Sequence, residues 1–182
     1  MSKNIFKIII SFMLCSLFGC GVSNPKIYHE NKPNLDIRKY FDGKVEAHGM
    51  VKDWKGKVSR RFSVEMDGKW QENTGTIKEK FIFDDGEVQY RDWQFDFIDE
   101  NNFSGKANDT TIDARGQQFG NTVRMDYQLK IYVDKKPIKV NIEDWLYLID
   151  DKYLINESKI KKFGLTLGYL NIFFIKQQQP TK

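Results

Sequence analysis

Hydrophobic and polar residues alternate along most of this chain, in short runs separated by turn-forming residues. From Tyr40 onward, turn signals such as Asp-Gly, Lys-Gly, Arg-Gly and Gly-Asn recur at intervals of about 8–15 residues, a spacing typical of consecutive antiparallel hairpins. No stretch of ten or more residues combines a 3.6-residue apolar period with helix caps. The pattern therefore predicts an all-β body.

The alternation also separates an apolar face from a polar face on each strand, because successive side chains point to opposite faces. We expect the apolar face to line the interior, and a shift of one residue in register would exchange the two faces. The inward-facing residues predicted in this way are Val45, Ala47, Gly49 and Val51; Val58, Phe62, Val64 and Met66; Ile77, Phe81 and Phe83; Trp93, Phe95 and Phe97; and Val123, Met125, Tyr127, Leu129, Ile131 and Val133. Both faces are apolar in 138–149 and 163–175, which indicates deeper burial or edge pairing there.

These segments amount to about nine or ten strands within residues 37–182, which we assign to a single domain. One flat sheet of that size would expose its edges, and closure into a barrel removes them. We expect a closed or nearly closed antiparallel barrel, with a β-sandwich as the alternative. The outward face carries charged residues such as Glu46, Arg61 and Asp92, so a membrane-spanning barrel is not expected.

The first residues have the layout of a secretory signal peptide, which we assign to 1–19. Lys3 and Lys7 precede an apolar run from Ile8 to Phe18. This run is shorter than the roughly 20 residues that a membrane-spanning helix needs.

The end of this run, Leu17-Phe18-Gly19-Cys20, resembles the bacterial lipobox, in which cleavage precedes a cysteine that then carries lipid. Cleavage would discard Cys15 and leave Cys20 as the only thiol, so no internal disulfide could form. Several acyl chains on Cys20 would anchor the protein stably. The alternative is an ordinary signal peptide.

The residue after the cysteine bears on location. By resemblance to Gram-negative lipoproteins, Gly21 permits export to the periplasmic face of the outer membrane, with the inner membrane as the alternative. Residues 20–36 contain two prolines, three asparagines, one Gly and one Ser, with few large apolar residues, and they are predicted to be a lipidated tether.

Four stretches of the body are "YFDGKVEAHGMVKDWKGKVSRRFSVEMDGKW", "EKFIFDDGEVQYRDWQF", "IEDWLYLIDDKYLINES" and "KKFGLTLGYLNIFF". Together with the lipobox they resemble a family of proteobacterial lipoproteins known as domain of unknown function 3833. The resemblance spans about residues 40–175 and implies a periplasmic lipoprotein with a lipocalin-like barrel. It implies no catalytic or ligand-binding residues.

The residues that carry out chemistry in enzymes are sparse. The chain has two histidines, His29 and His48, so neither a metal site nor a histidine-based triad is expected. The acidic pairs Asp84-Asp85, Glu143-Asp144 and Asp150-Asp151 are interpreted as solvated residues beside turns or strand ends. We expect no enzyme and no cofactor. The net charge of +4 is too small to indicate nucleic-acid binding.

Two arginines interrupt the apolar faces, Arg60 and Arg91. An unpaired buried guanidinium is costly, so each lies at a barrel rim or stacks on an aromatic ring, or else both form the cationic floor of a cavity. In the second case Trp93, Phe95 and Tyr127 would form its wall, and the ligand would be an amphipathic anion such as a fatty acid.

Two functions remain open. The first is a lipid-anchored binding module for a small hydrophobic or amphipathic ligand. The second is a filled barrel that acts in the cell envelope through a protein partner that the sequence does not identify.

Overall fold

The computed structural model describes residues 24–133 and 135–177, which form an antiparallel barrel of ten strands. The strands are β1 (Gly43–Asp53), β2 (Val58–Gln71), β3 (Thr74–Phe83), β4 (Val88–Phe97), β5 (Asn102–Ala107), β6 (Thr110–Phe119), β7 (Thr122–Val133), β8 (Lys136–Leu148), β9 (Tyr153–Lys162) and β10 (Leu165–Lys176). Each strand pairs with its neighbour in sequence, and β1 pairs with β10, so the sheet closes. This confirms the predicted closed barrel and excludes the sandwich.

The inward faces follow the predicted alternation. In β1, for example, Val45 and Ala47 are buried, whereas the alternate residues Glu46 and His48 are exposed. In the same way, β4 buries Trp93, Phe95 and Phe97. Because the side-chain period of a strand is two, a register that buries one apolar residue buries the whole set. Val58 and Val133 are the exceptions, since they lie at strand ends and are exposed.

Aromatic rings fill much of the barrel, and inward-facing glycines make room for them. A Cβ atom added at Gly49, Gly75, Gly105 or Gly116 would overlap the ring of Phe62, Trp70, Phe95 or Phe103, respectively. Phe103 is only 2% exposed, and it packs against Phe95 and Phe97. The missing side chains let large rings cross the interior at close range.

One end of the barrel is closed by a short helix, α1 (Ile37–Tyr40). The Asp36 side chain caps this helix by accepting a hydrogen bond from the backbone N–H of Arg38. Ile37 and Tyr40 of this helix are buried, as is Phe41, which follows it. The ammonium of Lys176, at the end of β10, donates to the carbonyl oxygens of Lys39, Tyr40 and Asp42 at 2.6, 2.7 and 3.1 Å. We call this end the plug end.

Residues 24–36, which the sequence assigns to the tether, lie against the outside of the barrel. Tyr28, in the 3₁₀ turn Pro25–Tyr28, makes edge contacts with the rings of Trp145 and Tyr147. Leu35 is buried, and its backbone N–H donates to the carbonyl of Gly120. The cover that Tyr28 provides explains why β8 is apolar on both faces.

The predicted signal peptide and Cys20 lie outside the described residues. Within the described ranges, no helix has the length and apolar character needed to cross a bilayer.

Candidate functional site

A cavity of about 90 Å³ lies inside the barrel, beneath α1. Ile37 and Phe41 of the plug form its roof, and most of its wall is apolar. Among the wall residues are Met66, Ile77, Trp93, Phe95, Leu146 and Ile172. Five polar side chains also face it, namely Glu79, Arg91, Tyr127, Asp144 and Asn156.

The first polar group of the cavity combines one guanidinium with two carboxylates. Glu79 and Arg91 are directly opposite in the β3–β4 ladder, so both point inward. Arg91 nevertheless donates its hydrogen bonds to Asp109, from Nε at 3.0 Å and from Nη2 at 2.7 Å. The nearest approach of Arg91 to Glu79 is 3.9 Å, which is too long for a hydrogen bond.

The second polar group lies on β7, β8 and β9. The Tyr127 hydroxyl donates to Oδ2 of Asp144 at 2.7 Å. Ser158 donates to Oδ1 of Asn156 at 2.9 Å, and Asn156 in turn donates to the backbone carbonyl of Trp145. These bonds hold the Asn156 amide and one oxygen of Asp144 in fixed positions.

Two buried carboxyl oxygens of the cavity remain without a hydrogen-bond partner in the described chain, Oε2 of Glu79 and Oδ1 of Asp144. Burial disfavours the ionised form of each group, so it raises the pKa of Glu79 to about 7 and also raises the pKa of Asp144. Native proteins rarely leave buried polar atoms unpaired, so these two oxygens mark the cavity as a candidate binding site.

The charge on Arg91 is already matched within the barrel. Burial lowers the pKa of Arg91, but the charges of Glu79 and Asp109 outweigh that effect and raise it overall. The guanidinium is therefore charged and is held by Asp109. The groups that face the cavity with free capacity are hydrogen-bond acceptors, or carboxyl donors once protonated.

The structure brings together four of the five residues that the sequence marks as ligand-binding. Arg91, Trp93, Phe95 and Tyr127 all line the cavity, and the Trp93 ring stacks on Phe95 and meets Tyr127 edge-on. Whether they bind a ligand stays a prediction.

Arg60 does not belong to this group. Its guanidinium stacks 3.6 Å from the Phe83 ring centre and donates to Asp85 and Glu87, each at 2.6 Å. Arg60 therefore stacks on an aromatic ring, which is one of the placements that the sequence leaves open for Arg60 and Arg91.

Sequence reasoning missed the two acids that define the site. Asp144 lies inside β8 and is only 7% exposed, so its interpretation as a solvated residue is wrong. Glu79 occupies an inward position between Ile77 and Phe81, so it interrupts an apolar face just as Arg91 does. That interruption was the signal available in the sequence.

Among the described residues, no group of three or more His, Cys, Asp or Glu side chains is placed to hold a metal ion. His48, on the outer face, lies 3.3 Å from Glu46 and is away from the cavity. The cavity itself combines five polar side chains with a mostly apolar wall.

The fold and cavity define a lipocalin-like closed β-barrel with a small, mostly apolar interior site. The chain belongs to the family described as "Protein of unknown function (DUF3833)", whose sequence profile matches residues 14–176. No curated protein matches the chain.

Comparison with one solved structure supports the barrel architecture, and two others match more weakly. The S-type phycobiliprotein lyase CPES from Guillardia theta is similar over 86% of this chain and 99% of its own, with a TM-score of 0.57 and 9% identity. EF1p2_mFAP2b bound to DFHBI matches with a TM-score of 0.42 and 7% identity, over 76% of this chain and 95% of its own. A redesigned β-barrel, b11L5F_LGL, matches with a TM-score of 0.40 and 8% identity, over 80% of this chain and all of its own. At these identities the likeness concerns the fold alone.

Proposed function

We propose that this protein is a non-enzymatic binding protein that takes a small amphipathic ligand into its barrel. The observation that carries the proposal is the pair of unpartnered carboxyl oxygens, on Glu79 and Asp144, inside an apolar cavity. A ligand that donates hydrogen bonds to both would relieve the cost of their burial. Its apolar part would lie against Trp93 and Phe95.

The ligand class favoured by this arrangement differs from the anion that the sequence indicates. The Arg91 guanidinium is already hydrogen-bonded to the Asp109 carboxylate, so an incoming anion would have to displace that carboxylate. The anion would also lie close to the acids Glu79 and Asp144. A neutral or cationic donor group, such as a hydroxyl or an amine, avoids both costs.

Size limits the ligand further. Pockets for drug-sized molecules usually enclose about 300–1,000 Å³, whereas this cavity is about 90 Å³. The cavity fits a small headgroup or one end of a longer molecule. A larger ligand requires the aromatic side chains around it to change rotamer.

The setting that we propose is the cell envelope. The Leu17-Phe18-Gly19-Cys20 sequence supports cleavage before Cys20 and lipidation of that cysteine, and Gly21 supports the periplasmic face of the outer membrane. The anchor would hold the barrel beside a source of amphipathic molecules. The inner membrane remains the alternative location.

A second function is favoured by the filled interior. Inward-facing glycines admit large rings, and the space left is small. A barrel of this kind could serve as a ligand-free envelope protein that acts through its outer surface and a protein partner.

Native mass spectrometry of the purified barrel, followed by solvent extraction, separates these functions. We expect a co-purifying small molecule that is lost in Glu79→Gln and Asp144→Asn variants. Arg60→Ala is the matched control and should retain the molecule, because Arg60 lies outside the cavity. A barrel that carries nothing after isolation from envelope extracts, or whose ligand depends on Arg60 but not on Glu79, would contradict the proposal.

A further inference from the structure

Three neighbouring hairpins at the end of the barrel opposite α1 combine exposed apolar residues with lysines. They connect β1 to β2, β7 to β8 and β9 to β10, and they are adjacent because β10 pairs with β1 and β8 pairs with β9. We call residues 52–58, 130–133, 135–139 and 159–167 the basic rim.

The apolar side chains of the basic rim are unusually exposed. Phe163 is 91% exposed, and Trp54 and Tyr132 are each 65% exposed. Leu165 is 69% exposed and Val133 is 47% exposed. Single exposed apolar residues are ordinary on protein surfaces, but a cluster of them marks an interaction surface.

Charge on this rim is one-sided. The sequence from 52–58, 130–139 and 159–167 contains ten lysines against two acids, Asp53 and Asp134. Glu143 forms ion pairs with two of these lysines, Lys159 and Lys161, and so offsets part of the positive charge. The remaining turns at the same end are opposite in sign, since 84–87 and 108–109 contain four acids and no basic residue.

Lysines lie next to exposed aromatic rings on this rim, a combination typical of surfaces that bind at a bilayer interface. Lys55 lies 4.9 Å from the Trp54 ring centre, and Lys162 lies 5.4 Å from that of Phe163. Aromatic side chains settle at the headgroup level of a bilayer, and nearby lysines attract anionic lipid.

We propose that the basic rim is a docking surface for anionic lipid bilayers, with Trp54 and Phe163 entering the headgroup layer and the surrounding lysines binding phosphate groups. The surface is separate from the interior cavity. It also shares no residue with the segment from Asn24 to Leu35, which packs beside the plug end.

Vesicle sedimentation of the chain from Gly21 onward tests the proposal without any acyl chain, since all ten strands and α1 lie within residues 37–176. We expect binding to phosphatidylcholine vesicles that contain about a third phosphatidylglycerol, and at least tenfold weaker binding to phosphatidylcholine alone. Raising the salt to about 0.5 M should release the protein, because screening weakens attraction between exposed charges. Trp54 emission should shift to the blue on binding, since Trp93 and Trp145 are buried already and the half-buried Trp70 lies beside the β2–β3 turn at the plug end.

Matched variants identify the surface. Trp54→Ser with Phe163→Ser should lower binding at least tenfold, as should Lys55→Gln with Lys57→Gln, Lys135→Gln and Lys136→Gln. The control is Ile98→Ser with Ile149→Ser, which removes residues that are 76% and 53% exposed at the plug end and should leave binding unchanged. All these side chains are exposed, so circular dichroism should show folded protein throughout.

Equal binding to neutral and anionic vesicles would overturn the proposal, as would an equal loss in the plug-end control. Glu79→Gln should bind vesicles like the unaltered chain, so failure here is distinguishable from failure of the ligand-binding proposal.

Discussion

Glu79 and Arg91 face each other across β3 and β4 inside the barrel, yet Arg91 gives its hydrogen bonds to Asp109 and approaches Glu79 no closer than 3.9 Å. The guanidinium is therefore satisfied, and Oε2 of Glu79 is left buried without a donor. Because Arg91 has its partner and this oxygen of Glu79 has none, the cavity offers a hydrogen-bond acceptor to a ligand.

Stability should depend on pH through Glu79. Burial raises the pKa of Glu79 to about 7 from its usual 4.5, so the unfolded chain loses the proton at lower pH than the folded protein does. The free energy of unfolding should therefore fall as pH rises from about 4.5 through 7, by about 3 kcal/mol from this group. Asp144, whose pKa is also raised, adds to the same trend. Urea denaturation at several pH values measures it.

The Glu79→Gln variant isolates this effect. Its stability relative to the unaltered protein should increase between pH 5 and pH 8, because glutamine does not ionise. Glu65→Gln, on the outer face, is the control and should show the same pH profile as the unaltered protein. Parallel profiles for Glu79→Gln and the unaltered protein would contradict this account.

Removing the partner of Arg91 should destabilise the barrel. Asp109→Asn takes away the charge that holds the guanidinium. The two side chains are partly buried, at 19% and 29% exposed, so we expect this loss to cost about 2 kcal/mol, less than the roughly 3–5 kcal/mol typical of a fully buried pair. Asp85→Asn removes a similar contact from Arg60, which keeps Glu87 and lies at the rim. Thermal melts should show a large loss for the first variant and little change for the second. Equal losses would show that Arg91 is not held as described.

Gly116 should resist substitution because of the ring beside it. A Cβ atom at this position would overlap Phe103, which is almost completely buried and cannot move aside without disturbing its neighbours. We expect Gly116→Ala to cost about 1–3 kcal/mol, the usual range for an overpacked core. Adding Phe103→Leu should recover part of that loss, so denaturation of both single variants and the double variant should reveal coupling. Additive losses would exclude the steric explanation.

Lipid attachment at Cys20 can be tested by metabolic labelling with palmitate in a Gram-negative host. We expect Cys20→Ser to abolish incorporation and Cys15→Ser, the matched control, to retain it, because Cys15 lies upstream of the proposed cleavage. Label retained in Cys20→Ser, or a free thiol on Cys20 in the mature protein, would refute the anchor.

The fold was largely predictable because strand alternation is a local property. Val45, Ala47, Phe62, Val64, Trp93 and Phe95 all occupy the predicted inward face. The same pattern marked Arg91 and Arg60 as exceptions, but it could not separate them. Arg60 lies near the end of its strand, where Phe83, Asp85 and Glu87 satisfy it, and Arg91 lies deeper.

The sequence by itself determined the strand content, the apolar face of each strand and the need to close the sheet, since these follow from a two-residue period and from the cost of exposed edges. Only the tertiary structure decided which polar residues meet. Glu79, Tyr127 and Asp144 come from three different strands, and barrel closure brings them to one interior. Asp109, in the turn between β5 and β6, reaches Arg91 from outside the cavity wall. Whether a buried charged group has a partner depends on distances between residues that are far apart in the sequence, and a local pattern does not contain those distances.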